Sequence, residues 1–514
     1  MARYAALDIG SNSVRSLAAE VSTDRKSGRP VITALQADRS VTRLGASVFE
    51  TGRISEEAMQ AVAAQLRRMT SCYRELGIAA VRAVATSAVR DASNQEEFVA
   101  RASEAAGAAV EIISGQEEAR LIHLGVESRW PQKSKRVLVI DVGGGSAEFI
   151  LSEHGRMAAA FSKPLGAVRL TEMFLGNDPP AEEELHHMER YIEEKLATPR
   201  QRIGAGPFDR VIATSASAAA IVCAVNGVAR ERREQADRLR ATLPQVRALY
   251  AELCRTNLAG RKKITGIGPR RAEIIVAGAA VFLRALETFQ QRSMYYLAAG
   301  VREGIVADLA MRGAGRELSR LSREQRRAVE AMARKYAVSL RHARRVAALT
   351  HELFEGLRPL HTLAPEFGKL AEAAAYLHDV GHYVSDTSHH KHSAYLIQHA
   401  DLPGFTDYER RMIATLARYH RKAMPSERHA GYQELDADSR RAVQRLAPIL
   451  RIADNLDRGH DQRVESVECL IRDGGVVLNV RASGDFTLEQ WAAERAGDIF
   501  REIYGVPVTV VRER

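Results

Sequence analysis

The sequence predicts an α/β protein with two related lobes over roughly its first three hundred residues, followed by an all-α part and a small α+β segment at the end. Three observations predict it. Strand-like and helix-like patterns alternate through the first 125 residues. An apolar strand that ends in an aspartate and a small-residue turn occurs twice, as Leu7-Asp8-Ile9-Gly10-Ser11-Asn12-Ser13 and as Ile140-Asp141-Val142-Gly143-Gly144-Gly145-Ser146. After Leu309 the pattern turns helical and histidine-rich, and strands return only in the last fifty or so residues.

Tyr4–Ile9 reads as a strand, a turn follows, and Val14–Val21 reads as a second strand. Ile54–Leu76 has helical periodicity, Val81–Ala85 reads as a strand, Gln95–Ala106 as a helix and Val110–Ile113 as a strand. A second α/β unit opens with Val137–Ile140 and returns along Phe149–Ser152. Gly313-Ala314-Gly315 reads as a linker, and helices follow from about Glu324 to Arg463. Val467–Ile471, Val476–Val480 and Val506–Val511 read as strands around a helix at Leu488–Ile503. The expected domains are residues 1–125 and 126–312 for the lobes, 313–465 for the helical part and 466–514 for the last.

A chain of 514 residues is too long for one core, and with 46% hydrophobic and 27% charged residues it is not disordered. Four scattered cysteines form no CxxC pair, which argues against a disulfide framework or a cysteine zinc site and for a reduced cytosol. The start has no signal-peptide shape, and the apolar windows Ala213–Ala229 and Ile274–Leu286 read as buried elements, so a soluble, cytoplasmic protein without a membrane partner is expected.

The net charge of +10 fits a polyanionic partner. Between Arg230 and Arg271 basic residues are dense but interleaved with Glu231, Glu234, Asp237 and Glu252, as on a solvated helix. Arg261-Lys262-Lys263 is the part expected to meet a polyanion.

A strand-to-strand turn of glycine and serine exposes several backbone N–H groups, a nest for phosphate oxygens. One such turn alone is most simply a hairpin. Two of one design, each with its aspartate, point to phosphate binding by Asp8, Gly10, Ser11 and Asn12 and by Gly143, Gly144, Gly145 and Ser146. Glu148, on the returning strand, is either an exposed strand residue or, with Asp141, a carboxylate that orients Mg²⁺. Ser114 and Glu117 have capping-box spacing, and the helix dipole alone accounts for Glu118. Glu118 equally suits a base projecting into an interlobe cleft. Arg90 lies where a strand gives way to a loop, suited to gripping a phosphate, although ordinary surface arginines sit in such places too.

Taken together, Asp8-Ile-Gly-Ser-Asn, Ala85-Thr-Ser-Ala-Val-Arg90-Asp-Ala-Ser-Asn94, Ile113-Ser-Gly-Gln-Glu-Glu118-Ala-Arg and Asp141-Val-Gly-Gly-Gly-Ser-Ala-Glu148 resemble the Ppx/GppA family, with Arg271-Ala-Glu-Ile-Ile and Val301-Arg-Glu-Gly304 following. The resemblance covers residues 1–310. It implies a duplicated actin-like, sugar-kinase-like fold with the active site between the lobes. It also implies Glu118 as catalytic base, Arg90 and both turns as phosphate ligands, and Asp141 and Glu148 as residues that place Mg²⁺. One departure is Ala213-Thr214-Ser215-Ala216-Ser217-Ala218, which stands where the family has a Gly-rich turn. That loss of backbone freedom weighs against close handling of a nucleotide and against a sugar kinase.

The histidine-rich part resembles the HD-like region of the family's long forms, which also imply a homodimer. His342, His378, Asp379 and Asp454 can bind one divalent metal, with His390, His392 and His420 as neighbours, or they are satisfied core residues of a retired scaffold. The function this implies is exopolyphosphatase, with inorganic polyphosphate as substrate. The alternatives are a guanosine pentaphosphate 5′-phosphohydrolase, a metal-dependent HD phosphohydrolase, or a non-catalytic sensor of polyphosphate or alarmone. No specific nucleic-acid partner is expected.

Overall fold

A strand that is apolar on both faces must lie inside a sheet. Strand β1 (Ala2–Ile9) is buried from Tyr4 onward and lies between β2 (Ser13–Thr23), antiparallel, and β4 (Ala80–Ala85), parallel. With β3 (Pro30–Val41) and β5 (Val110–Ile112) they form a sheet of order β3-β2-β1-β4-β5. This computed structural model describes residues 2–23, 30–313, 319–472 and 474–513, and divides into two compact units, Met1–Ala314 and Gly315–Arg514. Ala314 and Gly315 of the expected linker lie outside the described residues, and Gly313 ends the helix Val301–Gly313.

The second sheet repeats the first. β6 (Arg136–Val142), β7 (Ala147–Glu153) and β8 (Arg156–Lys163) form an antiparallel meander, and β9 (Arg210–Thr214) runs parallel to β6. β10 (Arg240–Thr242) and β11 (Ser293–Tyr296) complete the order β10-β11-β9-β6-β7-β8. Three antiparallel strands followed by parallel ones on the far side, twice over, make the duplicated actin-like arrangement.

Several elements differ from the sequence reading. The periodic stretch Ile54–Leu76 is helical only over Glu56–Thr70, capped by Ser55 Oγ, and breaks into turns before Gly77. β3 is an additional strand, a sheet edge with mostly exposed side chains and hence no buried pattern to read. The expected division at 125/126 falls inside the helix Gly115–Arg129. The helix Val301–Gly313, counted with the second lobe, places Ile305, Val306 and Ala310 in one core with Tyr4, Leu17 and Val84 of the first sheet. Two glycines permit this return: a Cβ on Gly304 would come 1.8 Å from Leu121 O, and one on Gly125 would come 2.3 Å from Gly300 O.

In the second unit the helices Leu340–Gly356, Glu366–Leu377, Asp407–Arg418 and Ala437–Asn455 surround one core. A three-stranded sheet, β12 (Val464–Arg472), β13 (Gly475–Ala482) and β14 (Val508–Arg512), with the helix Thr487–Tyr504, contributes Val464, Leu478, Phe500 and Val510 to that same core. No helix among the described residues is long and apolar enough to cross a membrane.

Candidate active site

The two Gly/Ser turns have the same geometry. Gly10 N donates to Ser13 O at 3.1 Å, and Gly143 N donates to Ser146 O at 3.0 Å. The turns meet face to face: a Cβ on Gly144 would come 3.1 Å from Asn12 N, and one on Gly145 would come 2.6 Å from Ser11 Oγ. Glycine is required there because two backbones approach within van der Waals distance. Ser11 is also part of the scaffold, its Oγ accepting from Ala88 N at 3.2 Å and its carbonyl from Gly45 N at 2.6 Å.

Register explains the charges. Asp8 pairs across the sheet with Arg15, and Asp141 with Glu148, so the same offset gives a cation in one lobe and a carboxylate in the other. Asp141 also neighbours Thr214 on β9 and accepts a hydrogen bond from its Oγ1. Glu118 lies in the first turn of the helix Gly115–Arg129, where Arg90 Nη1 donates to its Oε2 at 3.1 Å and to Ile113 O at 2.6 Å. Arg90 does not sit on a loop, as the sequence suggested, but on the short helix Ser87–Asp91, which aims it at Glu118.

Burial pushes the Glu118 carboxyl up to about 7, with Arg90 pulling against it and Asp8 and Asp141 repelling its charge. Burial, reinforced by Glu118 and Asp141, holds Glu148 well above the ordinary carboxylate range. Asp8 and Asp141 are raised as well, again chiefly by burial. Four crowded carboxylates with raised proton affinity, and a buried Glu148 Oε2 without a hydrogen-bond partner, form an oxygen donor set that fits Mg²⁺.

Glu117 is more than a capping residue. Ser114 Oγ does accept from Glu117 N at 3.2 Å, but the Glu117 carboxylate joins a buried ion cluster, with Arg120 Nε at 2.7 Å and Arg82 Nη2 at 3.1 Å. Asp308 completes it, 2.9 Å from Arg120 Nη2 and 3.0 Å from Arg82 Nη1.

Two cavities carry the arginines. One, of about 400 Å³, is lined by Asp8, Arg15, Arg39, Arg233 and Arg302, with Asp38, Glu231, Glu234 and Glu303 also present. The other, of about 440 Å³, shares Arg39 and Arg233, adds Asn12, Arg230, Arg270 and Arg271, and has no carboxylate in its lining. Burial and repulsion from Arg15 and Arg233 push Arg271 down to about 9. The basic residues that meet at a cavity are therefore not Arg261-Lys262-Lys263. Arg261 is buried and paired with Asp178 at 2.7 Å. Arg230, Arg233 and Arg271, read with the solvated stretch, line the cavities instead. Arg15 was missed, and its signal was the seven-residue offset from Asp8 that matches Glu148 from Asp141. The altered turn is the junction of β9 with the helix Ser215–Val225, and Ser215 lies there at φ 89 without a glycine's freedom.

In the second unit His342, His378, Asp379 and Asp454 come together. Asp454 Oδ1 lies 3.5 Å from His342 Nε2 and 3.3 Å from His378 Nε2. Burial opposes charge on the His378 ring, but Asp379 and Asp454 carry it to about 9. Of the neighbouring histidines, His420 joins the group through His389, a residue not singled out in the sequence, and the groups facing Asp379 include His389 rather than His390 or His392.

A model of the Ppx/GppA phosphatase family matches residues 21–312, and a model of domain III of that family matches residues 325–491. A guanosine-5′-triphosphate,3′-diphosphate pyrophosphatase of Aeromonas hydrophila subsp. hydrophila is 28% identical over 457 residues, covering 88% of this chain and 86% of that protein. The crystal structure of the Aquifex aeolicus member of the Ppx/GppA family is 28% identical with a TM-score of 0.53, covering 61% of this chain and 99% of that one. An exopolyphosphatase from Cytophaga hutchinsonii is 25% identical with a TM-score of 0.54, covering 60% of this chain and 97% of that one.

Proposed function

Since the chain belongs to the Ppx/GppA phosphatase family and is a hydrolase of phosphoanhydride bonds, we propose that it is an exopolyphosphatase, releasing orthophosphate from the ends of inorganic polyphosphate. Glu118 takes a proton from water, whose oxygen attacks the terminal phosphorus in line. The bridging P–O bond breaks, and the shortened chain leaves with its oxygen charged. Arg90 orients Glu118, and the turns at Ser11–Asn12 and Gly144–Ser146 offer backbone N–H groups to the phosphoryl oxygens. Asp141 and Glu148 would hold Mg²⁺, which supplies charge neutralisation at the terminal phosphates.

The observation that carries the choice of substrate is the pair of adjoining arginine-lined cavities. One includes Asp8 and the other Asn12, Arg270 and Arg271, and the two share Arg39 and Arg233. The second gathers Arg39, Arg230, Arg233, Arg270 and Arg271 with no carboxylate in its lining, a concentration of positive charge that suits a polyanion whose charge repeats along its length. Guanosine pentaphosphate is the second reading, favoured by the name of the Aeromonas hydrophila relative, which covers most of both chains. Orthophosphate release from long-chain polyphosphate and from guanosine pentaphosphate, in matched Mg²⁺ and salt, decides between them. A higher kcat/KM for guanosine pentaphosphate overturns the first reading.

A further inference from the structure

Both Gly/Ser turns are held from behind by a helix start of their own lobe. In the first lobe Thr42 N and Arg43 N each donate to Asn12 O at 3.2 Å, and Gly45 N donates to Ser11 O at 2.6 Å, around the start of the helix Leu44–Thr51. In the second, Ala167 N donates to Gly143 O at 3.0 Å, and Val168 N and Arg169 N donate to Gly144 O at 2.9 and 3.1 Å, at the start of the helix Ala167–Phe174. In a planar trans peptide the carbonyl and the following N–H point to opposite sides. Carbonyls fixed from behind therefore leave the next N–H groups of each turn pointing forward. Gly166, where a Cβ would come 2.3 Å from Gly144 O, lets the second helix lie this close.

Each of these backing segments also sends an arginine into the other lobe. Arg43 Nη2 lies 2.5 Å from Oε2 of Glu273, two residues beyond Arg271. Arg169 Nε donates to Gly145 O at 2.8 Å, which completes the support of its own turn. Its Nη2 pairs with the Asp91 carboxylate and donates to Ser87 Oγ at 3.3 Å. Ser87 and Asp91 are the two ends of the short helix that carries Arg90. The same guanidinium lies 4.0 Å from the centroid of the Phe49 ring, and Phe49 packs against Ala167, Val168 and Ile274 of the second lobe. One side chain thus touches the second turn and the helix that aims Arg90 at Glu118, in two directions that only a planar fork reaches at once. The Arg169 side chain is 17% exposed and that of Arg43 is 57% exposed, so solvent screens the Arg169 pair less.

We propose that Arg169 and Arg43 are positioning residues of the front cleft: they form two reciprocal ion pairs across it, Arg169 with Asp91 and Arg43 with Glu273, that hold the two phosphate turns in register with Arg90 and Glu118. Each pair runs from the back of one lobe's turn to a carboxylate beside an arginine of the other lobe, Arg90 in one case and Arg271 in the other. Neither arginine need touch the phosphoryl group. Arg169 acts through the Gly145 carbonyl and through the helix Ser87–Asp91, and a small displacement of Glu118 or of the N–H groups is costly to an in-line attack. The inference rests on the roles given above to Glu118, Arg90 and the turns, and holds for either substrate.

The test uses the full chain, first without substrate. Hydrogen–deuterium exchange in Arg169→Ala should be faster than in wild type at Gly143–Ser146 and also at the helix Ser87–Asp91 of the opposite lobe. Asp91→Asn, which leaves the second turn untouched, should speed exchange at Gly143–Ser146 across the cleft, so the result stands even where Arg169→Ala does not fold. Kinetics follow on long-chain polyphosphate and on guanosine pentaphosphate. Arg169→Ala and Asp91→Asn should each lower kcat roughly 10–100-fold on whichever substrate the wild type hydrolyses, with KM changed less than about threefold. The double variant should lose no more than the worse single, because both changes break one contact. Arg43→Glu should lower kcat about two- to fivefold, and adding Glu273→Arg should restore it. Exchange that quickens only in the lobe carrying the substitution, losses that multiply in the double variant, or a raised KM at constant kcat overturns the positioning role. The last outcome would make Arg169 a substrate ligand. A higher wild-type kcat/KM for guanosine pentaphosphate overturns the choice of substrate alone, and wild-type turnover in Glu118→Gln overturns the base alone. In both cases the exchange result and the double variant still decide the ion pairs.

Discussion

Glu118 illustrates how one side chain is tuned by what is buried beside it. The peptide unit would make it an ordinary helix-start carboxylate. Burial, with Asp8 and Asp141 repelling its charge against the pull of Arg90, raises its proton affinity to about 7, where a carboxylate is strong enough to take a proton from water and is still partly ionised at neutral pH. Glu118→Gln should lower turnover roughly 10²–10⁴-fold while leaving substrate binding nearly unchanged, as read by kcat and KM separately. Wild-type turnover in that variant removes Glu118 as the base. In the wild type, kcat/KM should rise with pH through about 7, because the protonated form below that value cannot accept a proton. A carboxyl whose folded value is raised binds protons more tightly in the native state, so stability from this group is present at low pH and falls as pH rises toward the folded value. The same variant should therefore melt higher than wild type near neutral pH without Mg²⁺. Added Mg²⁺ should stabilise the wild type, by about 2.7 kcal/mol at a hundredfold excess over its Kd, and should do so less in Glu148→Gln.

At the scale of elements, the helices Gly115–Arg129 and Val301–Gly313 are joined by charge as well as by packing. Arg82, Glu117, Arg120 and Asp308 pair in nearly full burial. Burial alone would raise the Asp308 carboxyl, but Arg120, Arg312 and Arg82 hold it well below the ordinary range, and Arg120 and Arg82 likewise overcome burial at Glu117. Glu117→Gln leaves two buried guanidinium groups short of a counter-charge and should cost about 3–5 kcal/mol in denaturant unfolding, far more than a lost cap. The pH sign is opposite to that of Glu118. The contribution of these depressed carboxyls is complete above their ordinary values near 4, and is lost as pH falls from there toward the lower folded values. Wild type and Glu117→Gln should therefore differ most above pH 4 and converge in acid. A cost under 1 kcal/mol at neutral pH would return Glu117 to a capping role.

For the whole molecule, the arginines from β2, β3, the segment around Arg233 and the stretch before the helix Ile275–Thr288 reach two adjoining cavities from distant parts of the chain. Such a track binds by charge, so affinity for long-chain polyphosphate should fall steeply between low and high salt, as exposed charges more than about 8–10 Å apart are screened near physiological ionic strength. Arg39→Ala and Arg271→Ala should raise KM for long chains at least severalfold and leave kcat nearly constant, since neither residue lies among the carboxylates that act on water. An unchanged KM for long chains in both variants would mean that the polymer follows another path.

The local code was enough for the parts whose physics is local. Alternation of buried and exposed residues, the Gly/Ser turns that follow Asp8 and Asp141, the capped start at Ser114 and the His378-Asp379 pair at a helix end are all legible within a dozen residues. So are the duplicated lobes, because one turn design is written twice. The sequence alone left open whether Glu118 is a base or a helix-dipole residue, because the difference is its own burial beside carboxylates drawn from β1 and β6. It misjudged Glu117, whose partners Arg82 and Asp308 arrive from far along the chain, and Arg261, which a carboxylate in another loop neutralises. It named His342, His378, Asp379 and Asp454 of the cluster, with His420 as a neighbour, but not His389, since helix phase, not spacing, decides which of the adjacent histidines faces Asp379. Strand order, pKa and ligand convergence depend on which distant groups share a low-dielectric space, and only the tertiary structure brings those groups together.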